Sequence, residues 1–273
     1  IEKSYIKAQK KKNLKRKGFD FKLEEIYELK IKTYLEMMHY ASGVRDNTDS
    51  IDYYRNEILS ITNDQRLRAR SHGYSAYIFY TADRLTKSIE HYNKALQILE
   101  FPENKNNRPF QIRVLVNLNA ALLDLKIIDV AEKNYVKLEE TILNMSSHKR
   151  YKNFKELLKI EKAYILITKQ EFEESLKVLN TIDEDNLDKK MLKQRYYSNM
   201  HYTYLRLKNY TLGEYYFDKA YPEDEYKEDK YYYNKLRYAV ENNNIEKADL
   251  YYKNIKSNYD NSLSGKITSD YFT

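Results

Sequence analysis

A stripe of residues at helical spacing recurs along this chain, and it restricts the fold more than any other feature. In the segment SIEHYNKALQIL, Ser88, Tyr92 and Ala95 stand four and three residues apart, so they share one helix face. A small residue, an aromatic ring and a second small residue along that face let a neighbouring helix approach closely and lock. Ser50, Ser88, Ala131, Ser175, Gly213 and Ala248 head the same stripe in six segments, at spacings of 38, 43, 44, 38 and 35 residues. Continuations include Tyr54, then Tyr135 with Leu138, Leu179 with Ile182, Phe217 with Ala220, and Tyr252 with Ile255. A unit that recurs at such intervals cannot bury its apolar face alone, so neighbours must stack into one continuous core.

Each stripe is preceded by another amphipathic stretch, which divides the chain into helix pairs at 23–60, 66–100, 111–143, 154–182, 192–220 and 230–257. The expectation is an all-α fold: a right-handed α-solenoid of stacked antiparallel hairpins forming a single repeat domain over 1–273. Residues 1–17 read as a basic half-repeat whose Tyr5 and Ala8 echo Tyr92 and Ala95, with Gly18 ending its helix. The stretch FPENKNNRP reads as a loop, because prolines and asparagines disfavour helix there. The sequence opens on Ile1 rather than Met and ends where another helix could begin, so it reads as a segment of a longer protein.

Composition supports helices. Five Gly and 3 Pro in 273 residues provide little punctuation for the many turns of an all-β fold. Thirty Tyr, against 9 Phe and no Trp, suit a thin two-layer structure, since tyrosine buries its ring while its hydroxyl reaches water or a partner. The net charge of +7 is confined to residues 1–17, which hold 8 Lys/Arg and 1 Glu. The remaining 256 residues carry equal numbers of basic and acidic side chains. A nucleic-acid interface through the repeat body is therefore not expected, and a basic run of this kind usually forms a solvated face. Without Cys there is neither a disulfide framework nor a thiolate metal site. No apolar run is long enough to span a bilayer, so a soluble segment, cytoplasmic or periplasmic, is expected.

These residues resemble the tetratricopeptide repeat family across nearly the whole chain. The matching positions are Ala76 and Phe79 with Ser88, Tyr92 and Ala95, then Leu118 and Leu122 with Ala131 and Tyr135. Ala163 and Leu166 with Ser175 follow, and then Tyr197, Tyr204, Phe217 and Ala220. Pro102 and Pro222 fall near the family's terminal proline, whereas Met38 and His201 stand where that pattern has a small residue. HEAT-type helical repeats are the alternative architecture.

The resemblance implies a concave face lined by the first helix of each pair, and with it a peptide- or protein-binding groove. Its groove positions fall on Arg70, Tyr74, Tyr77, Tyr80, Asn117, Tyr164, Asn199, Tyr202, Tyr233, Asn234 and Arg237. That mixture suits an extended peptide: Asn offers donors and an acceptor to a backbone, Tyr offers rigid area, and Arg pairs with a carboxylate. Repeats of this degenerate kind occur in bacterial peptide-sensing regulators and in the sensor portions of membrane-anchored regulators and histidine kinases. A sensor role in signal transduction or transcription regulation is the expectation that follows. The alternative is a nucleic-acid-binding helical repeat that uses the basic N-terminal segment, which requires strongly salt-dependent affinity.

Catalysis has little support. His39, His72, His91, His148 and His201 are scattered and form no HExxH or other ligand spacing. Glycines are isolated, so no phosphate-cradling loop exists, and Glu173 and Glu174 read as solvated charge. No catalytic residue, metal or cofactor is expected.

Overall fold

The computed structural model describes residues 14–16, 19–21, 23–42, 48–100, 107–187, 189–222 and 229–261. The chain divides into two compact units, Ile1–Ser146 and Ser147–Thr273. The first holds a short hairpin, β1 (Leu14–Arg16) and β2 (Phe19–Phe21), followed by α1 (Leu23–Ser42), α2 (Thr48–Ile61), α3 (Gln65–Thr81), α4 (Leu85–Leu99), α5 (Arg108–Asp124) and α6 (Ile128–Leu143). The second holds α7 (Tyr151–Thr168), α8 (Phe172–Leu179), α9 (Lys190–Arg206), α10 (Tyr210–Ala220), α11 (Asp229–Glu241) and α12 (Ile245–Asn261).

The hairpin departs from the helix expected before Gly18. Leu14 lies opposite Phe21, Lys15 opposite Asp20 and Arg16 opposite Phe19 in antiparallel register. Two residues ending in Gly separate the strands, a spacing and composition that favour a tight β-hairpin over a helix end. Tyr5 and Ala8 of the expected half-repeat lie outside the described residues, as does most of FPENKNNRP. Its last two residues are helical, because α5 begins at Arg108 and not at Gln111. Pro109 sits in the first turn, where a missing backbone N–H costs nothing.

Five of the hairpins share one turn. α3–α4, α5–α6, α7–α8, α9–α10 and α11–α12 are each joined by three residues, too few for anything but antiparallel neighbours. The middle residue is left-handed every time: Asp83 at φ 58°, Lys126 at 57°, Gln170 at 66°, Lys208 at 59° and Asn243 at 53°. The following N–H then reaches back to the end of the first helix, Arg84 to Phe79 O at 2.8 Å and Ile127 to Leu122 O at 2.8 Å. Glu171 to Leu166 O, Asn209 to Tyr204 O and Asn244 to Ala239 O repeat it at 2.9, 2.9 and 2.8 Å. This is the Schellman closure, which satisfies carbonyls that a helix end leaves orphaned. Its partner bond runs from the left-handed residue itself, as in Lys126 N–H to Leu123 O at 2.9 Å.

The turn also fixes the register of the stripe. Ser88, Ala131, Ser175, Gly213 and Ala248 each donate their N–H to the carbonyl four residues back, on Arg84, Ile127, Glu171, Asn209 and Asn244. They therefore occupy one structural position, the first turn of the second helix. Four of them are buried, and Ala248 is half-buried.

Within the first unit, α1 packs on α2 and α3, α3 on α4 and α5, and α5 on α6. Within the second, α7 packs on α8 and α9, α9 on α10, α10 on α11, and α11 on α12. Within each unit, then, each pair meets its sequence neighbour, as in an α-solenoid. The first core joins Ile31, Tyr34, Met38, Ile51, Ile58 and Ile78. The second unit has one core around Ile160, Ala163, Leu179, Ile182, Leu187, Tyr196 and Met200, and another around Leu205, Phe217, Tyr231 and Tyr238.

Candidate functional site

The expected groove residues lie on the first helices of the pairs, and they differ in exposure. In the first unit, Arg70 is exposed and Tyr77 is 44% exposed. Tyr74 is half-buried and packs against the Ile31–Met38 core, so much of its ring is structural. The Tyr80 hydroxyl donates to Asp124 Oδ2 at 2.8 Å, a bond from α3 to α5. Asn117, also half-buried, and Ser88 stand beside the hydroxyl of Tyr92. Burial raises the Tyr92 pKa well above that of a free phenol. No hydrogen bond of good geometry reaches the Tyr92 oxygen, although Asn117 and Ser88 lie next to it. The structure thus brings Asn117 of α5 beside a buried phenol of α4.

The second unit uses its residues differently. Asn199 Nδ2 donates to the Ile160 carbonyl at 3.1 Å, which ties α9 to α7. Tyr202 is 38% exposed, and the Arg206 guanidinium lies 5.4 Å over its ring and 5.6 Å over that of Phe172. Tyr233 is 49% exposed, Arg237 is exposed, and Tyr164 and Asn234 are half-buried. Glu161, three residues before Tyr164, is completely buried, with Arg195 Nη2 at 2.5 Å from its Oε1. Desolvation raises the Glu161 pKa, and Arg195 opposes that shift. Of the expected groove residues on α9 and α11, the exposed ones are Tyr202, Tyr233 and Arg237.

Two polar clusters escaped the sequence reading. His72 and His91, treated as scattered, meet with Nδ1 to Nδ1 at 3.1 Å and rings stacked at 5.4 Å. Arg55 Nη1 lies 3.0 Å from His91 Nε2 and 2.5 Å from Asp52 Oδ1. Because arginine only donates, His91 Nε2 accepts, and its proton sits on Nδ1. His91 then donates to His72 Nδ1, which places the His72 proton on Nε2. Desolvation, with the neighbouring cations, lowers both histidines to about 4, so both are neutral at pH 7. Their separation of 19 positions is no ligand-like spacing, and the hairpin turn at Asp83 brings them together.

The other missed cluster is Lys235, which is 4% exposed. Its Nζ bonds Glu214 at 2.6 Å and both oxygens of Asp218 at 2.9 Å, and it lies 5.7 Å over the Tyr251 ring. Burial works against its charge, but the two carboxylates outweigh that and raise its pKa. Glu214 and Asp218 are four residues apart on α10, a signal that could have been read as a cation clamp.

Among the described residues, no group of three or more His, Cys, Asp or Glu is arranged to hold a metal ion. No helix among them is long and apolar enough to cross a membrane. Glu173 and Glu174 are exposed, and Glu174 pairs with Lys177 at 2.6 Å.

The hairpins and their register define an all-α, tetratricopeptide-like helical repeat. No family model matches the sequence, and no curated protein matches it. Among solved structures, one described as the functional characterization of Pseudomonas aeruginosa pilF is similar, at 16% identity and a TM-score of 0.49. That likeness covers 88% of this chain and 96% of the other. The repeat fold stands on the chain's own five matching turns.

Proposed function

We propose that this chain is a non-catalytic binding module that takes a peptide or protein segment on the exposed faces of its first helices. The observation that carries this reading is the set of tyrosines left open there: Tyr77, Tyr202 and Tyr233 at 44, 38 and 49% exposure. Large rings with a polar tip are the side chains that most often anchor interfaces, and arginine is their usual companion. Arg70, Arg206 and Arg237 accompany them on the same helices. Tyr80 and Asn199 then act by holding neighbouring first helices together and presenting those rings.

Selection from a random peptide library on the intact chain tests this reading. Selected peptides should lose tenfold or more in affinity to Tyr77→Ala, or to the double variant Tyr202→Ala/Tyr233→Ala, as hot-spot truncations of about 2 kcal/mol do. Peptides that bind all these variants as tightly as the wild type would place the site elsewhere. The module further serves as the sensing part of a signalling or transcription regulator, a role that rests on the repeat resemblance. A complete gene that encodes neither a helix-turn-helix nor a kinase segment would overturn that second half.

A further inference from the structure

On the second unit, away from the tyrosines proposed above, the chain has built a box of aromatic rings around an ammonium group. Lys219 Nζ lies 4.8 Å from the ring centroid of Tyr215, 5.0 Å from Tyr197 and 5.8 Å from Tyr216. All three distances are within reach of a cation–π attraction. Tyr216 is held in place by Tyr204, stacked at 5.7 Å with an interplanar angle of 9°, and by Tyr215, edge-on at 5.0 Å. The Tyr197 hydroxyl donates to Glu184 Oε2 at 2.7 Å, which fixes that wall and sets a carboxylate behind it. Burial and Glu184 push the Tyr197 phenol up to about 12, and burial raises that of Tyr216, so both stay neutral rings across the physiological range.

The walls come from α9 and α10, and the carboxylate from the short 3-10 turn Glu184–Asn186. Tyr215 is 50% exposed and Lys219 is exposed, so the box opens to solvent along α10. Lys219 is the group that could leave: its stem is flexible, and a primary ammonium is strongly hydrated and gains water when it swings out. An alkylated ammonium has less hydration to lose and fits ring faces better, which is why aromatic boxes favour it.

We infer that Tyr197, Tyr215 and Tyr216, backed by Glu184, form a binding site for an alkylated ammonium group, with Lys219 as its built-in competitor. The ligand class is a quaternary ammonium, whether a small molecule or a methylated lysine side chain. Lys219 then sets the affinity, because an incoming cation must displace it.

Tetramethylammonium chloride, titrated into the intact chain against sodium chloride at equal ionic strength, tests the site, with tyrosine ring resonances as the readout. Lys219→Met should bind at least tenfold more tightly than the wild type, and the shifts should centre on Tyr197 and Tyr216. Tyr215→Ala in that background should weaken binding at least threefold. In the wild-type chain the probe should also move the Lys219 ε-methylene resonances toward those of a free lysine, a readout that does not depend on any variant folding. Ring shifts without release of Lys219 would overturn its role as competitor. No ring shift in Lys219→Met, checked as folded by its helical circular dichroism, would overturn the site, as would equal affinity after Tyr215→Ala. If Lys219→Met does not fold, a wild-type chain whose rings and Lys219 both ignore the probe overturns it as well. A competing trimethyllysine peptide separates the two ligand sources, since it should outcompete tetramethylammonium only if a peptide is the natural occupant. Failure here leaves Tyr77, Tyr202 and Tyr233 untouched, because none of these three belongs to the box.

Discussion

The α3–α4 hairpin and the α9–α10 hairpin close the same seam with opposite choices of side-chain size. In the first, Ala76 and Ser88 face each other and both are fully buried. In the second, the place of Ala76 is taken by His201, and the place of Ser88 by Gly213. His201 spreads into the space that glycine vacates: its Nδ1 lies 3.3 Å from the Gly213 carbonyl and is hydrogen-bonded to the Tyr238 hydroxyl. A Cβ on Gly213 would stand 3.1 Å from Tyr238 Cε1. A larger residue at one position of the seam is accommodated by a smaller one at the other. Close packing requires that much and no more.

Removing the large partner should break the second seam most severely. His201→Ala leaves a cavity and takes the hydrogen-bond partner from the buried Tyr238 hydroxyl, which should cost about 2–4 kcal/mol in urea melts. Adding Gly213→Ala to that variant should return part of the loss, because Tyr238 can relax and alanine is the better helix former by about 1 kcal/mol. A coupling below about 0.5 kcal/mol would mean the two positions do not share one volume. The first seam has no slack of this kind. Ala95→Leu, at a fully buried position, should overpack it by about 1–3 kcal/mol, and an unchanged melting temperature would contradict the register.

Acid should loosen both seams. His72 and His91 in the first unit, and His201 in the second, are held near 4 by burial, below the ordinary histidine value near 6.5. The unfolded chain therefore binds more protons between those two values. Stability is complete above about pH 6.5 and is lost as pH falls toward 4. Each histidine should contribute roughly 1–3 kcal/mol of that loss, with His72 at the low end because it is partly exposed. The His91–His72 bond also fails on protonation, since two Nδ1–H groups would then face each other. A flat stability profile from pH 7 to 4.5 would show these rings are not buried neutral.

How much of this was legible in the sequence depended on what each feature needed. The stripe led to one structural position five times, because a helix face is set by local spacing alone. Pair bounds were less exact. Helix α8 stops at Leu179 where the apolar pattern runs on to Ile182, since Ile182 is buried from the turn that follows. The expected groove residues all lie on first helices but differ in exposure. A single sequence cannot show that Asn199 spends its amide on the Ile160 carbonyl, or that Tyr74 leans into the Ile31 core. The histidine pair, the Lys235 clamp and the tyrosine box all need partners from two or more helices. Gly73 is the mirror case. It looks like a helix defect, yet a Cβ there would stand 2.7 Å from Phe110 Cζ, so it records the approach of α5 to α3.

The turns were invisible for a different reason, and they make the smallest prediction the most diagnostic. Turn signals are usually glycine and proline, whereas these hairpins place Asp83, Lys126, Gln170, Lys208 and Asn243 in the left-handed region. For Lys and Gln, a β-carbon in that region costs roughly 1–2 kcal/mol, part of which glycine gives back through its looser unfolded state. Lys126→Gly in the first unit and Lys208→Gly in the second should each therefore stabilise by about 0.5–1 kcal/mol. Asn243→Gly should gain only a few tenths, because asparagine tolerates the same backbone. The seams differ between the units while the turns do not, so equal gains at Lys126 and Lys208 are the expected result. A gain at one and a loss at the other would mean that the shared turn, and not just the seam, has diverged between the two halves.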